Sequence, residues 1–413
     1  MLSRSHYLIY SIVFLFPLFI ATTPSVGGVL YVLLFLAGVG LGWSAWGDLE
    51  AWEKKILIGF VLFCALISLS LINNHDVVNG VKRLTRYMHF PLLIPMYLLL
   101  KKYKVETGKV FLIGLLATSV VMFGQAIYQT AYSSMARATG AVHPIIFGDV
   151  AMWSAVVVFC AVITLPKSSK YYFLGFLAIS LALIASILSA SRGPWILLPV
   201  GAVWLLWINR KNVGAIPLIS IAVAVVLLIV GALNVPSVSK RVDVAIHEYQ
   251  AYTNDSTRMS SVGARLEMWR DSIRIWKVNP IIGTGIGDFK SDRLKFFNEG
   301  SSYLPHPYRH AHSIYFDVLA TAGLVGVVAM MFFMIYLPFQ MFNRFYKTET
   351  DPWIKFYALS GMATIIAFAV FGLTEGWLAR NTLLRVYLMS MLVFMSSIAV
   401  RKEKQDKVIS RKS

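Results

Sequence analysis

The chain has 413 residues and a formal charge of +18, with 57% hydrophobic and only 14% charged residues, where an ordinary soluble protein carries roughly a quarter charged. The apolar residues come in long uninterrupted runs rather than at helical or alternating spacing, which excludes a soluble core. The two cysteines, Cys64 and Cys160, fall inside such runs, excluding a disulfide framework and a thiolate metal site in the connecting loops.

A helix needs about 20 residues to cross the hydrocarbon layer. By that measure the candidate spans, in chain order, are about 6–23, 27–46, 55–73, 82–100, 109–131, 143–165, 171–190, 192–208, 213–235, 313–342, 354–373 and 381–400. Arg4 ahead of the first run resembles a signal peptide, but eleven further runs favour an uncleaved first helix. The predicted fold is an all-α integral membrane protein of about twelve transmembrane helices. Spans one to nine occupy residues 1–235, and one large periplasmic loop with amphipathic helices occupies 236–312. Spans ten to twelve occupy 313–400, and a basic tail closes the chain at 401–413. With the N-terminus in the cytoplasm, twenty of the 38 Lys and Arg fall in short inner loops and tails, as the positive-inside rule expects. Both termini are then cytoplasmic and the membrane is a bacterial inner membrane. This placement largely explains the net charge, so membrane lipids are expected as partners and nucleic acid is not.

The remaining eighteen basic residues lie outside against that rule. Lys82, Arg83, Arg86, Arg137, Arg192, Arg380 and Arg385 sit in short outer connections or helix ends, and the rest in the 236–312 loop. Spans four and eight are apolar only over about 87–100 and 194–208, so Arg86 and Arg192 enter their outermost turns. A charge at that depth either snorkels to lipid phosphate or meets a functional partner. Lys82 and Arg86, four apart, share one helix face.

In the outer loop, Leu266, Trp269, Ile273 and Trp276 recur at helical spacing with Arg270, Arg274 and Lys277 off the stripe. This predicts an amphipathic helix resting on the membrane or on the bundle, with Arg265 lining a site beneath. Gly283-Thr-Gly-Ile-Gly-Asp-Phe289 lacks the spacing and preceding strand of a dinucleotide fingerprint; it is an anion-binding nest or a plain turn. His306, His310 and His312 follow. Their spacings of four and two fit no single helix face, and no nearby cysteine or carboxylate completes a ligand set, so no metal is expected. A neutral imidazole as general base is the better reading.

Converging guanidinium groups suit a strongly anionic group at the membrane surface, and a lipid diphosphate has the right depth. If the diphosphate leaves, the same cations stabilise its developing charge. Ser191-Arg192-Gly193, Arg265 before Trp269, Gly283-x-Gly-x-Gly-x-Phe289, His312-Ser313, Gly323-Leu-Val-Gly326, and Arg137-Ala-Thr-Gly140 before His143-Pro144 together resemble the O-antigen ligase and polymerase superfamily. The resemblance spans roughly residues 80–330, with a GT-C-like layout. Within it the ligase is most similar. That implies inverting transfer of O-antigen from undecaprenyl diphosphate to lipid A–core, without metal, ATP or other cofactor. It further implies that Arg192, Arg265 and His312 match the essential positions. Arg137, Arg86 and Lys82 are expected as further diphosphate contacts, and Arg309 as a secondary one. Ser313 stands where the family often has Asn, which leaves His310 open beside His312 as the base. Glu375 falls near where the family can carry an acid. Three alternatives remain: an O-antigen polymerase, a protein O-oligosaccharyltransferase using the same donor, and a lipid-linked saccharide transporter.

Overall fold

The computed structural model describes residues 4–209, 236–253, 260–304 and 308–410, and among these only helices and turns occur. The helices are α1 (Arg4–Thr22), α2 (Pro24–Leu41), α3 (Ala51–Ser68), α4 (Val77–Tyr87), α5 (Leu93–Lys102), α6 (Gly108–Ile127), α7 (Pro144–Thr164) and α8 (Lys170–Leu188). Then come α9 (Leu197–Asn209), α10 (Pro236–Thr253), α11 (Ser261–Val278), α12 (Phe289–Asn298), α13 (Ile314–Ala329), α14 (Leu337–Thr348), α15 (Pro352–Thr374) and α16 (Asn381–Ser410). Nine stretches of the described chain are long and apolar enough to cross a membrane, from Ser5–Thr22 to Asn381–Val408. They coincide with predicted spans one to three, five to seven and ten to twelve. The protein is an all-α, multi-pass membrane protein. Its helix starts are written locally: Pro24, Pro144 and Pro352 open α2, α7 and α15, where a missing N–H costs nothing. Asp351 caps the last of these through the Trp353 and Ile354 amides.

Two predicted spans need correction, and one lies elsewhere. Span four is not one helix: α4 and α5 are separated by a turn containing Pro91. Proline lacks the N–H that a continuous helix would use and disfavours helix at the residue before it. Span eight is a short apolar stretch, Gly193–Ile208, and Arg192 caps it from outside instead of riding in its first turn. Span nine, with Arg210 and Lys211, lies outside the described residues.

The charged residues sort to two ends. At the tail end, Arg401 holds Asp351 (2.8 Å) and Glu106 (3.0 Å), Lys101 reaches the fully buried Glu53 at 3.0 Å, and Lys104 pairs with Glu403. Arg83, Arg86, Arg137, Arg192, His310, His312, Glu375 and Arg380 belong to the helix ends and loops of the other.

A glycine joint fixes the loop to the bundle at that second end. The helix of span ten breaks at Gly323, whose φ is 61°, and Gly283, Gly285 and Gly287 have φ of 75°, 136° and 107°. A Cβ at Gly323 would fall 2.4 Å from the Ile281 oxygen, and one at Gly283 2.4 Å from the Ala322 nitrogen. The Gly285 amide donates to Thr321 O (3.1 Å), Val325 N to Ile281 O (3.0 Å), and Ile286 N to the Ser70 hydroxyl (3.2 Å). These amides are committed inside the protein, so the motif is a packing joint and the anion-nest reading fails.

The amphipathic helix also differs from expectation. α11 buries Ala264, Met268, Asp271, Ser272 and Ile275, a face rotated from the predicted stripe. Ile273 is 40% exposed. Polar Asp271 and Ser272 go inside because each finds a partner: Ser302 donates to Asp271 at 2.7 Å and the Ser272 hydroxyl to Met268 O at 2.7 Å.

Candidate active site

The segment leading into α13 is tied down from three sides. Trp269 of α11 donates its indole N–H to Ala311 O at 3.1 Å and stacks on Phe316 at 5.0 Å between centroids. Asp317 accepts the Ala311 amide at 3.3 Å and pairs with Arg83 of α4 at 2.7 Å. The His312 amide donates to His310 Nδ1 at 3.2 Å. Between these ties His312 adopts a left-handed backbone, φ 50°, which costs about 1–3 kcal/mol for a residue with a Cβ.

The strained conformation brings His312 to Glu375, the residue that ends α15. His312 Nδ1 lies 3.5 Å from Glu375 Oε2, with the carboxylate 1% exposed. The other oxygen accepts from Arg380 Nε at 3.0 Å. Of the two facing atoms, His312 Nδ1 and Glu375 Oε2, neither has a closer hydrogen-bond partner. Burial alone would raise the Glu375 carboxyl. The His312 contact and the charge of Arg380 outweigh it and hold Glu375 at about 2. Burial, reinforced by His312, keeps His310 well below the usual imidazole range. His310 is therefore neutral, its Nδ1 spent on a backbone amide and its ring against Gly376, where a Cβ would fall 2.9 Å away. His312 is the accessible imidazole of the two, and its Nε2 is the nitrogen not turned to Glu375.

Arg192 arrives by a second strained turn. Ala190 has φ 51°, and Gly193 is pressed on α15, where a Cβ would meet the Thr374 hydroxyl at 2.4 Å. The Ser191-Arg192-Gly193 turn thus adjoins Glu375. Arg137 donates through Nε to Ser189 O at 2.9 Å and through Nη2 to Ala190 O at 3.4 Å; these bonds brace the Arg192 turn from behind. Arg86, half-buried on α4, lies within electrostatic reach of Arg83, Arg380 and Arg309. Arg309 is exposed beside His310, and Lys82 is exposed on α4. Arg265 is half-buried one turn before Trp269, on the α11 face that reaches Ala311. His306 lies outside the described residues.

The sequence reading named Arg83, Arg380 and His143 but gave none of them, nor Asp317, a role in the site. His143 caps α7 and lies in the fields of Arg380, Glu375, Arg137 and His312; burial and then Arg380 lower its pKa. Its pairing with Pro144 was the available signal. The expectation that no carboxylate completes the histidine set is corrected, since His310, His312 and Glu375 offer ligand atoms within 4.8 Å of one another. Their surroundings do not suit a cation. Arg380 occupies one Glu375 oxygen, the His312 amide occupies His310 Nδ1, and Arg86, Arg309 and Arg380 make the local field positive, which disfavours a divalent ion and favours an anion.

Fold and site together define a multi-pass helical membrane protein with an imidazole–carboxylate pair set among guanidinium groups at one end of its bundle. Residues 177–331 match the model of the family described as O-antigen ligase, and this stretch of the chain is similar to it. The match spans Arg192, Arg265, His310 and His312, and supports a function of the O-antigen ligase/polymerase type. The chain is also similar to an uncharacterized protein of Haemophilus influenzae, 25% identical over 351 residues, covering 83% of this chain and 86% of the relative.

Proposed function

We propose that the protein is an inverting glycosyltransferase that moves O-antigen polysaccharide from undecaprenyl diphosphate to a hydroxyl of lipid A–core, at the periplasmic face of a bacterial inner membrane. The observation that carries this reading is the His312–Glu375 pair within a cationic surround. A carboxylate on Nδ1 fixes the imidazole tautomer and stabilises the imidazolium that forms when Nε2 takes a proton, the logic by which a buried acid supports a histidine base. Nε2 of His312 removes the acceptor hydroxyl proton as the oxygen attacks the sugar's anomeric carbon. The carbon–oxygen bond to the diphosphate breaks, and the leaving electrons pass to the phosphate. Arg192, Arg265 and Arg86 take that charge, with Arg309 and Lys82 at the rim, while Arg137 and Arg380 position Arg192 and Glu375.

Inversion follows from direct attack opposite the leaving group. A retaining route needs a carboxylate nucleophile, and Glu375, buried and held by Arg380, is not free for that part. The one-ended gathering of cations favours an enzyme over a transporter. The deciding experiment incubates purified protein, with EDTA present, with lipid-linked O-antigen and one of three acceptors: lipid A–core, a second donor molecule, or a pilin. Transfer to lipid A–core with inverted linkage by NMR supports the ligase. Transfer only to the second donor, or only to the pilin, replaces it with polymerase or protein oligosaccharyltransferase. Loss of activity that a divalent cation restores would make His310, His312 and Glu375 ligands.

A further inference from the structure

The His312–Glu375 centre leaves the half-buried Arg385 unexplained. Arg385, in the second turn of α16, has no acidic partner among the described residues, and its buried Nε has no hydrogen bond. Its guanidinium carbon lies 5.8 Å from the centroid of the Tyr31 ring on α2. Bare backbone at Gly28 makes this approach possible, because a Cβ there would fall 2.6 Å from Arg385 Nη1. Tyr31 is only 2% exposed, and its hydroxyl is likewise without a hydrogen-bond partner. The His89 ring stands 5.7 Å from the Tyr31 ring. Its Nδ1, 3.0 Å from the Arg86 carbonyl oxygen, links the group to α4.

Two orphaned donors and a half-buried guanidinium met only by a ring face are costly among apolar helices, and they share one remedy, an anion with several acceptor oxygens. At 1.5 Å per residue, Arg385 and Tyr31 lie about 6–11 Å in from the starts of their helices, close to the layer where lipid phosphates sit. A guanidinium fork with a phenol beside it suits a phosphate ester.

We propose that Arg385 and Tyr31, admitted to each other by Gly28, form a lipid-phosphate subsite distinct from the donor diphosphate site and separated from it by His89. Its ligand is a phosphate ester on a lipid in the leaflet at this end of the bundle. Under the function proposed above, which this inference deepens, that lipid is the acceptor, anchored by a headgroup phosphate while its saccharide extends to His312.

Binding without turnover tests the subsite independently of the transferase reading. Native mass spectrometry would compare retention of diphosphorylated lipid A, phosphatidylglycerol and undecaprenyl diphosphate by wild type, Arg385→Gln, Arg385→Lys and Tyr31→Phe. Arg385→Gln should weaken lipid A retention about tenfold, the scale of one charged hydrogen bond. Arg385→Lys and Tyr31→Phe should lose less, and undecaprenyl diphosphate should be held as by wild type. A selective loss of phosphatidylglycerol instead would keep the phosphate subsite but assign it to bulk phospholipid. Unchanged retention of both lipids in variants that melt like wild type would overturn the proposal. Tyr31→Phe, which removes one oxygen, decides the matter if Arg385→Gln does not fold.

Discussion

At the residue scale the site separates groups that touch substrate from groups that hold them. His312→Ala should lower kcat about 10²–10⁴-fold, the usual contribution of a positioned base, while the protein still binds undecaprenyl diphosphate. Glu375→Gln keeps the shape but withdraws the negative charge beside Nδ1, so kcat should fall with little change in donor affinity. Single-turnover assays alongside donor binding check both, and full activity of Glu375→Gln would remove the pair from the mechanism. Arg192 and Arg265 carry a different expectation. Alanine at either should cost on the order of 2–4 kcal/mol of transition-state stabilisation, by analogy with loss of one oxyanion donor, and lysine should rescue poorly because it lacks the planar fork. Steady-state kinetics on the four variants measure this, and an active Arg265→Ala with a native melting curve would refute that residue's role. His310 answers to pH instead. Its folded pKa lies well below the ordinary 6.5, so the unfolded chain binds a proton that the folded one refuses. The stability from neutral His310 is complete above 6.5 and declines as pH falls, at up to about 1.4 kcal/mol per unit. Melting temperatures from pH 7.5 to 5 should drop in wild type and flatten in His310→Asn, and equal slopes would show that His310 is not the cause.

At the element scale, function rests on joints between helices more than on the helices themselves. The break at Gly323 interlocks with Gly283 and anchors the first half of α13, at whose start His312 stands. Gly323→Ala would force a Cβ to 2.4 Å from the Ile281 oxygen at a φ of 61°. It should cost at least about 1–3 kcal/mol in strain alone, with more from the clash. Melting should fall and kcat with it, although residue 323 touches no substrate; unchanged melting would mean that the joint is not rigid. These joints were only partly legible in the sequence. The glycine spacing was visible, but whether its amides face a ligand or a neighbouring helix depends on contacts some 40 residues away, at Thr321, and some 215 away, at Ser70. The α11 face was misread for a related reason: Asp271 and Ser272 enter the core by meeting Ser302 and the Met268 carbonyl, and an apolar stripe cannot report such partners. Arg137 looked like a phosphate ligand by charge and position, yet the carbonyls of Ser189 and Ala190 claim two of its donors.

At the scale of the whole molecule, length and apolarity alone located nine crossing stretches, because a bilayer constrains each span independently of its neighbours. What length could not show was the assembly of Glu375 with His312, which are far apart in sequence and meet only where α15 ends against the start of α13. The two-ended charge pattern bears on which side of the membrane holds this assembly. Basic residues at the tail end, including Lys101, Lys104, Arg401, Lys402 and Lys404, are matched by Glu53, Glu106, Glu349, Asp351 and Glu403. A neutralised network of that kind can lie on either face. The tail's surplus of Lys and Arg favours the cytoplasm, so the expected outcome is His312 and residues 236–312 on the periplasmic side. Single cysteines at Ser260, at the start of α11, and at Ser410, at the end of α16, report the two sides against a low background, since Cys64 and Cys160 are both buried. In intact cells with a permeabilised outer membrane, an impermeant maleimide should label position 260 and spare 410 until the inner membrane is opened. The reverse pattern would invert the protein and put its histidine pair in the cytoplasm, where an outward-facing donor could not reach it.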